Sequence, residues 1–405
     1  MPVIVVFLSS LMLITSRKGR KFQVAARNRF SWILSLPDFL IIILLRMLVS
    51  EQYDHVYPVI MAGGKGTRFW PLSRARKAKQ FLTILGDETL LEMTIQRCLS
   101  LSSIENIMVV GSQKQSRYLK MVQEQHLGMS VLKEPLGKNT LPCIGWAAVE
   151  LLKKDSDAIM VVVPADQWVS CTDAFSQTIA KAVDHVKNYS SSLLTIGIPP
   201  TSAHTGYGYI KLRNPKAELS DVEKFTEKPA QSVAESYLKE GAYLWNAGIF
   251  VFQAKQVLTL IKSYQPRMYQ LLLQLAQEKE AAQLARRRVY EQFDSISIDY
   301  GLLEHVPSQI KCVPATFSWS DIGSWTALAP FLKQDNSKNA TQASLVSWNA
   351  SNNLVFSDQG SKKVIALANL HDLIVVDTKD ALLILPKSSD QTIKALYDNL
   401  PESHQ

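Results

Sequence analysis

The sequence predicts an α/β protein in which a mostly parallel, mixed sheet is followed by a small β-rich C-terminal domain. Three observations predict it. Continuous apolar runs of strand length recur at 57–61, 107–111, 158–166 and 192–198, the pattern of strands buried on both faces. Helical patterns lie between them, at 90–101 and 172–187, as crossover connections require. From about residue 340 the tail, which contains VFSDQGSKKVIALANLHDLIVVDTKDALLILP, reads as short strands separated by turns.

At 405 residues, 47% hydrophobic and 20% charged, the chain can bury a sizeable core and is not expected to be disordered. It divides into an N-terminal extension at 1–54, a main α/β domain at 55–335 and the β-rich domain at 336–405. No glycine-rich linker precedes the last, so it is expected to pack on the main domain. A helical stretch at 254–290 separates the two groups of strands. The cysteines Cys98, Cys143, Cys171 and Cys312 show no metal-binding spacing and read as reduced thiols of a cytoplasmic protein.

The net charge of +8 is concentrated at the start: residues 1–46 hold seven Lys and Arg against the single acid Asp38. A body so nearly neutral offers no polyanion-binding face, and no nucleic-acid partner is expected. The apolar runs at 3–15 and 33–49 fit poorly as membrane spans. The first is shorter than the ~20 residues a bilayer needs, and the second contains Pro37, Asp38 and Arg46. The order of basic and apolar residues does not suit a secretory signal either. Two readings stand, an amphipathic or membrane-associated leader, and translated upstream sequence with the functional protein starting at Met47; the second is preferred. Membrane association is expected only if the extension is real.

The chemistry is expected in MAGGKGTRFWPLSR at 61–74. Gly63, Gly64 and Gly66 follow a strand, where backbone amides can approach phosphate oxygens without a Cβ in the way, and Lys65 and Arg68 add positive charge. By itself such a loop is equally a structural turn. It lacks the closing GK[ST] of a Walker A loop and the spacing of GxGxxG, which weakens kinase and dinucleotide readings.

This stretch closely resembles the GxGTRFWPLSR signature of the mannose-1-phosphate guanylyltransferases, and RKAKQFL at 76–82 continues it. EPLGKNTLP (134–142), VPAD (163–166), TGYGYI (205–210), FTEKP (225–229), WNAGIF (245–250), SIDYGLLE (297–304) and FSWSDIGSW (317–325) look like further segments of the family, in order. The FWPLS form distinguishes the chain from related glucose and rhamnose-pathway enzymes, whose stretch reads more like RLxPLT. The resemblance implies a Rossmann-like nucleotidyltransferase domain with a β-helix-like C-terminal domain, the substrates GTP and mannose 1-phosphate, a Mg²⁺ cofactor and a homo-oligomer, specifically a dimer. Many bacterial relatives continue into a cupin isomerase domain; isomerase activity is not expected here.

The resemblance also assigns roles. Arg68 becomes a pyrophosphate ligand and Lys79 a phosphate contact near the reacting phosphorus, with Asp166 the third catalytic residue. Asp166 and Asp321 would hold Mg²⁺; otherwise they are helix caps. Gly63, Gly64, Lys65, Gly66, Thr67, Asn139 and Thr140 would bind the nucleotide, the last two being a polar turn if they do not. Gly206, Tyr207, Gly208, Glu227, Lys228 and Asn246 would bind the sugar phosphate, Glu227 and Lys228 being a surface ion pair in the bland reading. Two departures stand out, Ala78 for the usual proline and Gln167 for the usual histidine. They favour the alternative of a weakly active regulatory homologue; the other alternative is a pyrophosphorylase for a different hexose 1-phosphate or nucleotide.

Overall fold

The computed structural model describes residues 4–8, 11–15, 23–26 and 53–404, apart from 65, 279–281 and 359. It forms two compact units, 1–54 and 55–405. In the first, Ile4–Leu8, Leu11–Thr15 and Gln23–Ala26 pair as an antiparallel sheet. The apolar run at 3–15 is therefore two short strands, while the run at 33–49 lies outside the described residues.

The second unit is built on nine strands. They are β1 Val56–Ala62, β2 Met108–Ser112, β3 Ser130–Glu134, β4 Ile159–Pro164 and β5 Leu193–Ile198. β6 Tyr209–Leu212, β7 Ser220–Thr226, β8 Tyr243–Gln253 and β9 Ile310–Pro314 complete the sheet. Their order is β6-β7-β9-β5-β8-β4-β1-β2-β3. The sheet is mixed, as expected, but parallel pairing is confined to two blocks, β3-β2-β1-β4 and β5-β9. β8 lies antiparallel between the blocks. It does not read as a continuous apolar run because Asn246 and Gly248 interrupt it, and its pairing with β5 shifts register between Asn246 and Phe250.

The helices at 90–98 and 172–188 fall where the apolar periodicity puts them, while Thr140–Leu152 is one that it does not mark. α1, Leu90–Cys98, begins with a capping box in which the Thr89 hydroxyl accepts from the Glu92 amide and the Glu92 carboxylate accepts from the Thr89 amide, an arrangement that satisfies two otherwise orphaned donors. α2 is Thr140–Leu152 and α3 is Thr172–Asn188. The stretch 254–290 forms three helices, Ala254–Tyr264, Pro266–Gln277 and Gln283–Glu291. They cover one face of the sheet, where Trp146, Phe252, Leu272 and Tyr290 share the main core.

The C-terminal strands wind in coils. Ala340–Gln342, Leu354–Ser357 and Leu373–Asp377 stack in parallel on one side, and Ser344–Trp348 stacks on Val364–Ala368 on another. Corners repeat every 20 residues: Asn349 donates to Asn369, and Asn352 to Asp372. Asn349, Asn352, Asn369 and Asp372 all have positive φ, the left-handed backbone that Asn and Asp tolerate best among residues with a Cβ. Inside the turn, buried Asn353 donates to the Asn339 side chain and the Leu370 carbonyl, both at 2.9 Å, and accepts from the Leu373 amide at 2.9 Å.

This coil is not separable from the main domain. Phe356, Ile374, Ile393 and Tyr397 share one apolar cluster with Phe69, Trp70, Leu90 and Trp325. Asn353→Ala removes three side-chain hydrogen bonds, one of them to the buried Asn339 side chain, so it should cost about 2–4 kcal/mol. Urea unfolding checks this; an unchanged midpoint would show that the asparagine ladder is not structural.

Candidate active site

β1 ends at Ala62 and delivers Gly63 and Gly64 to the surface. A Cβ on Gly64 would meet nothing within 4 Å, so its freedom is useful to an approaching ligand rather than to packing. Gly66 is different: it has φ +63°, and a Cβ there would lie 2.5 Å from Cβ of Lys79. Two buried glutamines hold this loop, Gln80 from the RKAKQFL segment and Gln115 from no motif. Gln80 Nε2 donates to the Ala62 carbonyl at 2.6 Å, and Gln115 Nε2 donates to the Gly64 carbonyl at 3.2 Å. Thr67, Arg68 and Phe69 form one helical turn, whose buried Phe69 leaves Arg68 exposed. Lys65 lies outside the described residues.

Lys79 sits beneath the loop with only 6% of its side chain exposed. A lysine so buried must be paired, and it donates to Asp166 Oδ2 at 3.0 Å and to the backbone carbonyl of Asp321. Asp166 follows β4, which runs parallel to β1 with Pro164 opposite Met61; the register sets the acid beside the loop. Asp321 Oδ1 accepts from the Gly323 amide at 3.1 Å and from the Tyr207 hydroxyl at 2.7 Å. Burial and the Asp321 charge push the Tyr207 hydroxyl well above its ordinary pKa. Gly66, Thr67, Arg68, Lys79, Asp166 and Asp321 thus line one cleft of about 600 Å³.

Among the described residues, Asp166 Oδ1 and Asp321 Oδ2 have no hydrogen-bond partner, and no cluster of three or more His, Cys, Asp or Glu side chains is placed to hold a metal. Two carboxylates fit Mg²⁺, which keeps several waters and takes its remaining oxygens from substrate phosphates.

A second group of residues adjoins the first through Tyr207. At Gly208 a Cβ would collide with the Glu227 carboxylate. Glu227, 9% exposed, pairs with Lys228, which has φ +45°. Asn246 Oδ1 accepts from the Gly248 amide at 3.0 Å and Thr195 Oγ1 at 3.3 Å, while Nδ2 donates to Asp299 Oδ1 at 2.9 Å. Its amide is therefore locked, with one N–H left to offer a ligand. Gly206 donates its amide to His204 Nδ1 at 3.1 Å. Asp299 lies in the SIDYGLLE segment but was not assigned a role from the sequence. Burial, then the nearby Glu227 charge, raises it to about 6.

Asn139 and Thr140 do not line the Lys79 cleft. Asn139, with φ +69°, precedes α2 and accepts from the Thr140 amide at 2.9 Å, and Thr140 Oγ1 accepts from the Ile298 amide at 2.9 Å. Both side chains are occupied with local structure. In the same segment Glu134, unnoticed in the sequence, ends β3 beneath the loop: a Cβ on Gly63 would lie 3.0 Å from its Oε2, and Tyr290 donates to its Oε1.

The two departures are accommodated. Gln167 donates Nε2 to the Ala247 carbonyl at 2.7 Å and accepts from Trp319 Nε1 at 2.8 Å, the one donor and one acceptor that a neutral histidine also carries. Ala78 has φ −75°, within the range that a proline ring imposes.

A glycine-rich loop at the carboxyl end of an α/β sheet, with a buried lysine and two acids below it, defines a site for phosphoryl or nucleotidyl transfer. The sequence matches the Nucleotidyl transferase family over residues 57–338 and the MannoseP isomerase/GMP-like beta-helix domain over 344–400. It is 34% identical to the mannose-1-phosphate guanylyltransferase RfbM of Salmonella typhimurium, across 85% of this chain and 72% of that one. It is 33% identical to the alginate biosynthesis protein AlgA of Pseudomonas aeruginosa, with the same coverage. The crystal structure of a mannose-1-phosphate geranyltransferase from Thermus thermophilus superposes with a TM-score of 0.76 at 29% identity, covering 85% of this chain and 98% of that one. The chain belongs to the nucleotidyl transferase family, in its mannose-1-phosphate guanylyltransferase branch.

Burial raises Glu134 from 4.5 to about 7, against a smaller opposing effect of the Tyr290 hydrogen bond. Between those values the native state keeps a proton that the unfolded chain has lost, so stability should fall as pH rises through this window. Glu134→Gln should flatten that part of the pH–stability curve, measured by thermal unfolding. An unchanged slope would place the titration elsewhere.

Proposed function

We propose that the chain makes GDP-mannose and pyrophosphate from GTP and α-D-mannose 1-phosphate, using Mg²⁺. The observation that carries this reading is the buried Lys79 ammonium, held beneath the glycine loop by the Asp166 carboxylate and the Asp321 backbone carbonyl, in a protein whose relatives include mannose-1-phosphate guanylyltransferases. A phosphate oxygen of the sugar attacks the α-phosphorus, forming one P–O bond as the bond to the β-phosphate breaks. The attacking phosphate is already ionised at neutral pH, so no general base is needed; catalysis is positioning and charge neutralisation.

Each group then has a task. The loop amides cradle phosphate oxygens, Arg68 meets the departing pyrophosphate, and Lys79 stabilises charge at the reacting phosphorus. Asp166 and Asp321 would hold the metal, which supplies charge neutralisation across the phosphates. Tyr207, donating to Asp321, fixes that carboxylate. Glu227 accepts from sugar hydroxyls, Lys228 meets the sugar's phosphate, and Asn246 offers its remaining N–H. A cytoplasmic location fits the thiols Cys98, Cys143 and Cys312, all buried and free. A dimer fits the coil strands, which expose Val346, Trp348 and Val364, since exposed apolar groups of this kind mark association surfaces.

Incubating the protein with each NTP and sugar phosphate, and measuring pyrophosphate, tests the reaction. GTP with mannose 1-phosphate should be the best pair; preference for another pair, or no release, would overturn the reading. Lys79→Met should lower kcat by about 10²–10³. A raised KM for GTP with kcat intact would instead make Lys79 a uniform binding residue.

A further inference from the structure

One wall of the Lys79 cleft comes from the far end of the chain. The short helix Ile393–Asp398 packs on the turn Thr67–Phe69 that carries Arg68. Its residues Ile393 and Tyr397, one turn apart, are buried with Phe69 and Trp325. Lys394 and Asp398, each one position further on, are exposed and line the cleft together with Arg68, Lys79, Asp166 and Asp321.

This wall is firmly attached. Asp390, just before the helix, accepts from the Thr326 amide at 3.0 Å and from the Thr326 hydroxyl. Trp70 Nε1 donates to the His404 carbonyl, beyond the helix, at 2.9 Å, and Arg74 pairs with Asp380, ahead of it, at 2.9 Å. Lys394 is therefore presented from a fixed support.

The cleft's charges show what Lys394 is free to do. Lys79 is committed to Asp166. Among the described residues, Arg68 and Lys394 are the cleft-lining cations without an ion-pair partner. A triphosphate tail is strongly anionic, and a second unpaired cation on the cleft wall adds to the charge that Arg68 sets against it.

We propose that Lys394 is a pyrophosphate-binding residue, which with Arg68 takes the β- and γ-phosphates of the nucleotide, so that the C-terminal domain completes the nucleotide site. The inference rests on the guanylyltransferase reading for the identity of the nucleotide. It also gives the shared apolar cluster a functional consequence: the coil domain sets the position of a substrate-binding cation as well as the stability of the loop.

Calorimetric binding of Mg²⁺-pyrophosphate, together with KM for each substrate, tests the proposal on the full chain. Lys394→Met should weaken pyrophosphate binding by about tenfold, the loss expected for one charged hydrogen bond. KM for GTP should rise by a similar factor while KM for mannose 1-phosphate stays within about twofold. Lys394→Arg should restore most of the affinity, and Lys362→Met, on an exposed lysine of the same domain, should change nothing. Pyrophosphate affinity of Lys394→Met within about twofold of the wild type, or an equal loss in Lys362→Met, would overturn the assignment. A chain that binds pyrophosphate through Lys394 yet makes no GDP-mannose would refute the reaction and leave the binding role standing.

Discussion

A lysine ammonium gives up its water only for partners of comparable strength, and Lys79, with 6% of its side chain exposed, finds them in the Asp166 carboxylate and the Asp321 carbonyl. Much of the site follows from that pairing. Asp166 must stand at the end of β4, beside β1, for its carboxylate to reach the ammonium. Residue 321 must be brought in from beyond β9, and Gly66 must lack a Cβ because Lys79 lies directly against it. The interaction ties the glycine loop, the sheet and the 317–325 segment into one object.

The same dependence extends to the coil domain. Phe69 and Trp70, in the loop's own continuation, are buried against Trp325, Phe356 and Ile393. The turn that carries Arg68 therefore has its apolar floor supplied from residues well over 200 positions away. A domain that looks like an appendage in the chain order is part of the foundation of the cleft. Such an arrangement favours rigidity: the backbone of the loop is held by Gln80 and Gln115 on one side and by this cluster on the other, so donors can be aimed before substrate arrives.

Much of this was legible in the sequence, for identifiable reasons. Strands at 57–61, 107–111 and 192–198 were visible because burial on both faces leaves near-continuous apolar runs. β8 was not, because Asn246 and Gly248 break its apolar run; it enters antiparallel between two parallel blocks, which makes the sheet mixed. The loop and its acids were legible through motifs. The convergence of Asp166 with Asp321 was not, since it is a product of the fold. Gln80, Gln115, Glu134 and Asp299 went unnoticed because their roles lie in what they touch; all but Gln115 lay inside segments already singled out. The coil domain carried a readable signal in the 20-residue correspondence of Asn349 with Asn369 and Asn352 with Asp372, which a search for internal repeats would have found.

If the pairing of Lys79 with Asp166 organises the site, the two residues act as one unit on the transferred group. A double-mutant cycle with Lys79→Met and Asp166→Asn, read as the single-turnover rate of GDP-mannose formation at saturating Mg²⁺, tests this most directly. Strong non-additivity is expected, with the double variant within about threefold of the slower single variant. Losses that multiply would mean that the two residues contribute independently, and would contradict the pairing as the organising interaction of the site.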